Sequence, residues 1–234
     1  MSEVNRVVQV SRAHGAVHTA LATCELMPGG WTAAHAHDAE ELVFVLGGRG
    51  MLTSGEGVLT LAAGEAAFVP LGCPHAWRAE GDEPWRWVEL HSPQPRTSAA
   101  TAAEHADLMP VRAGAWAARD DEAFAALAVE GIAITMLIDE RQRASLAQMF
   151  LVDYAPGAVL APHDHPFEET FSVLDGEVVY RTEAAERVLR VGDVAYAGVG
   201  CVHGFENRSS RPVRWLETRA PQPPRHHANR FVGA

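Results

Sequence analysis

Shifted by 128 positions, the 234-residue sequence lies on itself without a gap. Pro28-Gly29 falls on Pro156-Gly157. His35, His37, Glu40 and Glu41 fall on His163, His165, Glu168 and Glu169. Gly48 and Gly64 fall on Gly176 and Gly192, and Gly72, Cys73 and His75 on Gly200, Cys201 and His203. Pro84, Arg86, Trp87 and Glu89 fall on Pro212, Arg214, Trp215 and Glu217. Chance does not give so many identities in one register. The chain is a tandem duplication of a unit of roughly 100 residues, large enough to fold as its own small domain.

Both copies break into short runs rich in Val, Leu, Thr and Phe. Gly, Pro and Asp punctuate them every eight to twelve residues, as in "ELVFVLGG" and "ETFSVLDGEVVYRT". That spacing is the mark of an all-β sandwich or barrel. The expected organisation is an N-terminal barrel over residues 1–96, a linker over 97–130 and a C-terminal barrel with a tail over 131–234. "DDEAFAALA" suggests a short helix in the linker. Two antiparallel barrels leave edge strands that a homodimer would cover, unless the duplication supplies the same pairing within one chain.

Charge and cysteine usage narrow the function classes. A net charge of -11 argues against a nucleic-acid partner, which needs a basic face. No apolar run reaches a membrane span, and "MSEVNRVVQV" does not read as a signal peptide. Three cysteines without C-x-x-C spacing offer neither a disulfide framework nor a thiolate zinc site. They read as small buried thiols in a reduced cytoplasm.

The repeated "HAHDAEELVFVLGG" and "HDHPFEETFSVLDG" carry the chemistry. Residues two apart on a strand share a face, so His35 with His37, and His163 with His165, project together. Glu41 and Glu169 have the same parity, whereas Glu40 and Glu168 are rival carboxylates. A later strand-turn-strand return, "GEAAFVPLGCPHAWRA" or "GDVAYAGVGCVHGFEN", can bring His75 or His203 across to them. Three imidazoles and one carboxylate suit a divalent transition metal, Fe, Mn, Ni, Co or Zn, with up to two ions per chain. The set is too nitrogen-rich for Mg or Ca.

These segments resemble the two motifs of the cupin superfamily, G-x5-H-x-H-x3-E-x6-G and G-x5-P-x-G-x2-H-x3-N. The first motif matches in full at Gly29, His35, His37, Glu41 and Gly48, and again at Gly157, His163, His165, Glu169 and Gly176. The second departs twice, with Ala79 in place of Asn and Gly198 in place of Pro. The resemblance implies a bicupin of two jelly-roll barrels with a metal in each. It does not choose among the oxygenases, decarboxylases, isomerases, hydrolases and non-catalytic binders of the superfamily.

Four protein ligands on an octahedral ion leave two positions for a small anionic substrate and for O2 or water. The leading expectation is an enzyme of dioxygenase type acting on a small organic acid, enol or aromatic compound. Non-redox decarboxylation, isomerisation or hydrolysis is the alternative, and a non-catalytic binding protein the third. Trp77 and Phe205 follow their histidines by two, and Phe171 shares the face of Glu169, so all three should line a pocket. The C-terminal copy adds Asn207, Tyr180 and Arg181, where the first has Ala79, Leu52 and Thr53. It is therefore expected to dominate, with Glu169, Arg181 and Asn207 as the catalytic group.

Overall fold

The computed structural model of the chain describes residues 4–55, 57–95, 129–222 and 230–232. Among these residues the regular elements are strands and two single-turn 3-10 helices, and the chain divides into two compact units. No helix among them is long and apolar enough to cross a membrane.

The first unit holds β1 (Asn5–Val10), β2 (Ala20–Leu26), β3 (Glu40–Gly47), β4 (Arg49–Ser54), β5 (Gly57–Ala62), β6 (Ala66–Val69), β7 (Ala76–Glu80) and β8 (Trp85–Ser92). They form one sheet in the order β1-β2-β8-β3-β6 and a smaller one in the order β5-β4-β7. Alternation decides which side chains meet between the sheets. Val43 and Val45 of β3, Leu52 of β4, Trp77 and Ala79 of β7, and Trp85 and Trp87 of β8 join one core. The three tryptophans pack with ring centroids 4.9–5.7 Å apart.

The second unit repeats the plan with β9 (Ile132–Ile138), β10 (Gln148–Tyr154), β11 (Val159–Asp164), β12 (Glu168–Asp175), β13 (Glu177–Thr182), β14 (Glu186–Arg190), β15 (Val194–Ala197), β16 (His203–Glu206), β17 (Val213–Ala220) and β18 (Arg230–Phe231). Its sheets run β15-β12-β17-β10-β9 and β14-β13-β16-β11-β18. Phe150, Tyr154, Phe171, Phe205 and Trp215 fill the core that the tryptophans fill in the first unit.

The unit boundary differs from a division at residue 131. Ile138–Ala147 packs with the first unit, and Glu40 explains why. Its buried carboxylate accepts the Ser145 and Leu146 backbone N–H groups and the Ser145 hydroxyl at 2.8–3.2 Å. Glu40 is thus a structural clasp. The residues of the expected linker up to 128, where a short helix is expected from the sequence, lie outside the described residues.

Gly48 and Gly176 join β3 to β4 and β12 to β13 with φ of +72° and +76°. A Cβ at Gly48 would lie 2.4 Å from the Pro84 carbonyl oxygen, and at Gly176 2.7 Å from that of Pro212. Gly29 has φ +71° but open space around it. Gly29→Ala should therefore cost about 1–2 kcal/mol, the left-handed penalty alone. Gly48→Ala should cost distinctly more, because backbone has to move. Urea unfolding of both variants checks the order, and equal midpoints would contradict it.

Candidate metal centres

Each centre forms where the chain crosses from one sheet to the other. His35 forms an isolated antiparallel bridge with His75, which leads into β7 of the small sheet. His163 of β11 pairs with His203 of β16 in the same way. Glu41 and Glu169 come instead from β3 and β12, each in the opposite sheet of its unit. The chain bends between histidine pair and glutamate, so strand parity does not explain their meeting. Convergence across the sandwich does.

The rings gather closely. Centroids of His35, His37 and His75 lie 4.4–5.3 Å apart, and those of His163, His165 and His203 lie 4.5–5.3 Å apart. Each trio can present one nitrogen per ring within 4.8 Å of the others. Four of the six rings have a fixed tautomer. Nδ1 of His35, His75, His163 and His203 lies 2.8–2.9 Å from the carbonyls of Ala33, Cys73, Ala161 and Cys201. A carbonyl only accepts, so each Nδ1 carries the proton and each Nε2 offers a lone pair.

Two of those lone pairs face carboxylate oxygens. His75 Nε2 is 3.0 Å from Glu41 Oε2, and His203 Nε2 is 3.0 Å from Glu169 Oε2. Yet both Glu41 oxygens, His75 Nε2, His165 Nε2 and Glu169 Oε2 are buried without a hydrogen-bond partner. Burying acceptors against one another is costly unless a cation lies between them. A divalent metal supplies that cation, and the donor set of nitrogen and carboxylate fits it.

The titrations follow the same logic. Burial lowers the pKa of His37 and of His163 to about 4, so both rings are neutral and ready to ligate near pH 7. Burial alone would raise Glu41, but the charge of a protonated His75, whose place a bound cation takes while the ring stays neutral, outweighs it and holds the carboxyl well below the usual range. Glu169 is lowered against burial by Arg219, His165 and His203. Burial and the neighbouring Glu169 push Glu217 up to about 8.

Two residues of the sites escaped the sequence reading. His91 lies opposite Glu41 on β8, and Arg219 lies opposite Glu169 on β17. They are register equivalents, each two positions beyond Glu89 or Glu217, so the parity rule applied to Trp87-Glu89 and Trp215-Glu217 would have reached them. Arg219 donates Nε to Glu169 Oε1 at 2.7 Å and a terminal nitrogen to Glu217 at 3.2 Å. It therefore leaves Glu169 one oxygen for a metal. His91 is 3.9 Å from Glu41 and 3.5 Å from Glu89, and neither ring nitrogen is hydrogen-bonded.

The surroundings differ as much. The C-terminal void is small, about 30 Å³, and is lined by Ile132, Ile134, Phe171, Phe205 and Trp215 together with Glu217 and Arg219. Phe167 stacks on His165 with centroids 4.6 Å apart, and the His165 side chain is only 2% exposed. Its register equivalent is Ala39, and the His37 side chain is 22% exposed. The N-terminal void is larger, about 270 Å³, and is lined by Arg6, Thr32, Trp77, Trp87, Glu89 and His91 beside His35 and His37.

The residues expected from sequence distribute unevenly. Trp77 lies in the N-terminal void, and Phe171 and Phe205 in the C-terminal one. Arg181 and Asn207 are corrections. Arg181 reaches away from the centre to Glu186 and Glu206. Asn207 is buried and fastens a loop, donating to the carbonyls of Tyr154, Ala155 and Arg211 and accepting from Ser209. Tyr180 packs within the core, its hydroxyl donating to the Tyr196 carbonyl. The polar supply expected of the C-terminal pocket is therefore found in the N-terminal one. Cys24, Cys73 and Cys201 are free thiols.

A paired-sheet sandwich with a histidine–glutamate cluster between its layers, built twice, defines a bicupin. The model of the cupin domain, Cupin_2, matches residues 22–91 and 150–219, and the chain belongs to this family. A germin-like protein 5-1 from Oryza sativa subsp. japonica is 37% identical over 81 residues, which are 31% of this chain and 35% of that protein. AerE from Microcystis aeruginosa has a similar structure, with a TM-score of 0.70 at 16% identity over 93% of this chain and 92% of that one. Oxalate decarboxylase from Bacillus subtilis gives a TM-score of 0.70 at 16% identity over 98% of this chain and 74% of that one.

Two centres imply two metal equivalents per chain by elemental analysis of untagged protein. His35→Ala with His37→Ala should leave one, as should His163→Ala with His165→Ala; two equivalents retained in either variant would mean other ligands. Asn207→Ala should lower unfolding stability by about 2–3 kcal/mol through its lost buried hydrogen bonds. It should leave metal content unchanged, and a lost equivalent without loss of stability would return Asn207 to the site.

Proposed function

We propose that the protein is a metal-dependent enzyme acting on a small organic acid, enol or aromatic hydroxyl compound, with dioxygenation as its reaction. The observation that carries this reading is the N-terminal centre. There three imidazoles and a carboxylate without a hydrogen-bond partner converge, and two of the imidazoles, His35 and His37, line the larger of the two voids. A closed centre serves structure, whereas an open one keeps positions for substrate.

A bound divalent metal supplies Lewis acidity, and with iron or manganese also one-electron redox chemistry. The chain's own residues do the rest. Glu41 reduces the charge of the centre, so that an anionic oxygen is attracted without being trapped. Trp77 and Trp87 form an apolar wall that excludes bulk water from one side of the substrate. His35 and His75, held through Nδ1, keep their Nε2 atoms fixed in direction.

A second reading, non-redox decarboxylation or isomerisation, is favoured by His91. It is buried beside Glu41 and lines the void, placed to hold or return a proton at substrate carbon or oxygen. The fold likeness to an oxalate decarboxylase accords with it.

Metal-loaded protein offered a panel of small carboxylic acids, enols and catechols should consume O2 in proportion to product, followed by an oxygen electrode and NMR. Product without O2 consumption would select the second reading. Glu41→Gln should lower turnover at least about 100-fold, the loss expected when metal-centred charge stabilisation is disturbed. Binding across the panel without turnover would leave a non-catalytic binder and sink the enzyme reading.

A further inference from the structure

The 128-residue register allows the two voids to be compared wall by wall. Val4 corresponds to Ile132, Trp77 to Phe205, Trp87 to Trp215 and Glu89 to Glu217, and all of these line their respective voids. Three pairs break the correspondence in chemistry, the first being the hydroxyl of Thr32 in place of Leu160. Arg6 on β1 corresponds to Ile134 on β9, and His91 to Arg219. Each pocket thus has one guanidinium, in a different place.

In the C-terminal unit the guanidinium is buried beside the ligand carboxylate and committed to Glu169 and Glu217. It also lies over the rings of Phe150 and Phe167 at 4.7 and 5.3 Å. The outer wall at Ile134 is apolar. In the N-terminal unit the guanidinium is at the wall. Arg6 Nε donates to Glu89 Oε1 at 2.9 Å, and the side chain is 35% exposed. Its two terminal nitrogens have no hydrogen-bond partner among the described residues. Arginine stays charged at any working pH and presents those nitrogens as a fork suited to a carboxylate. Glu89 holds the fork's near side and so fixes its orientation.

We propose that Arg6 is the specificity-determining residue of the N-terminal pocket. It would take the carboxylate of a small acid whose second oxygen function is directed toward His35, His37, Glu41 and His75, while the C-terminal centre takes no such ligand. This rests on the reading of the protein as an enzyme for small organic acids and adds which pocket and which group recognise them. Arg6 and His35 line one continuous void, so a single small molecule can face both. A ligand with one oxygen function gains only the metal side. One with two gains a charge-assisted, two-point attachment.

The test uses the full chain loaded with Co(II), whose visible spectrum reports ligands at the metal. Malonate is the two-function probe and azide the probe that needs only the metal side. Arg6→Met should weaken malonate binding at least about tenfold, the lower end for loss of a charge-assisted hydrogen bond, and leave azide binding unchanged. Arg6→Lys, which keeps the charge but not the fork, should fall between, and it serves alone if Arg6→Met does not fold. His163→Ala with His165→Ala should keep the malonate response, and His35→Ala with His37→Ala should abolish it.

Unchanged malonate affinity in the Arg6 variants would overturn the proposal. So would parallel losses for malonate and azide, the signature of a merely structural Arg6. A response that follows the C-terminal histidines, or no malonate binding at all, would also overturn it. Failure of the enzyme reading is seen separately. Malonate binding that depends on Arg6, with no acid turned over, would keep the proposal and discard the reading. Turnover of an acid with an unchanged KM in Arg6→Met would do the reverse.

Discussion

Two buried carboxylates, Glu41 and Glu169, exposed to 0% and 1%, set the terms for the rest of each unit. An ionised carboxylate taken out of water is tolerated only where positive charge and donors meet it. In each unit three imidazoles from the opposite layer are turned to it, with four of the six rings fixed by backbone carbonyls. The glycine between β3 and β4, or β12 and β13, lets the chain reverse against the start of β8 or β17. Those strands then bring Glu89 and His91, or Glu217 and Arg219, alongside. The sandwich can therefore be read as a frame that holds an anion where only a cation satisfies it.

The two copies answer that demand differently. In the C-terminal unit an arginine shares the work of neutralising Glu169, and aromatic rings close over His165. In the N-terminal unit both oxygens of Glu41 stay unpaired, and alanine replaces the ring at position 39. The arginine there has moved outward to the pocket wall. Exchanges within a common register, Arg6 for Ile134, Thr32 for Leu160 and His91 for Arg219 in the lining and Ala39 for Phe167 beside it, thus separate a roomier polar pocket from a narrower apolar one. Duplication supplied two equal frames, and divergence acted on the lining rather than on the ligands.

Much of this was legible in the sequence. The ligand residues and the turn glycines repeat at fixed spacing, and spacing is what a one-dimensional reading detects. Parity within a strand was legible as well, but it was applied across a bend where it does not hold: the histidine pair and its glutamate belong to different sheets. Arg181 and Asn207 looked catalytic because they were polar and unmatched in the other copy. A polar side chain beside a site can equally be spent on the fold, as Asn207 is on three carbonyls and Arg181 on two carboxylates. Parity along β8 and β17 puts His91 and Arg219 on the face of Glu89 and Glu217, but only the cross-strand register with Glu41 and Glu169 gives them a part in the centres. The motif spacing favours Glu41 over Glu40, but the structural part of Glu40 shows only with its partner Ser145, more than a hundred residues away, in place.

That partner bears on how such a chain could arise. The segment that satisfies Glu40 is encoded beyond the first repeat, at the start of the second. A polypeptide holding one repeat alone would fold with this acid unclasped, or would borrow the clasp from a sister molecule. Fusion of two repeats turns that loan into an internal connection. Covalent linkage then secures a contact that separate chains could keep only at sufficient concentration.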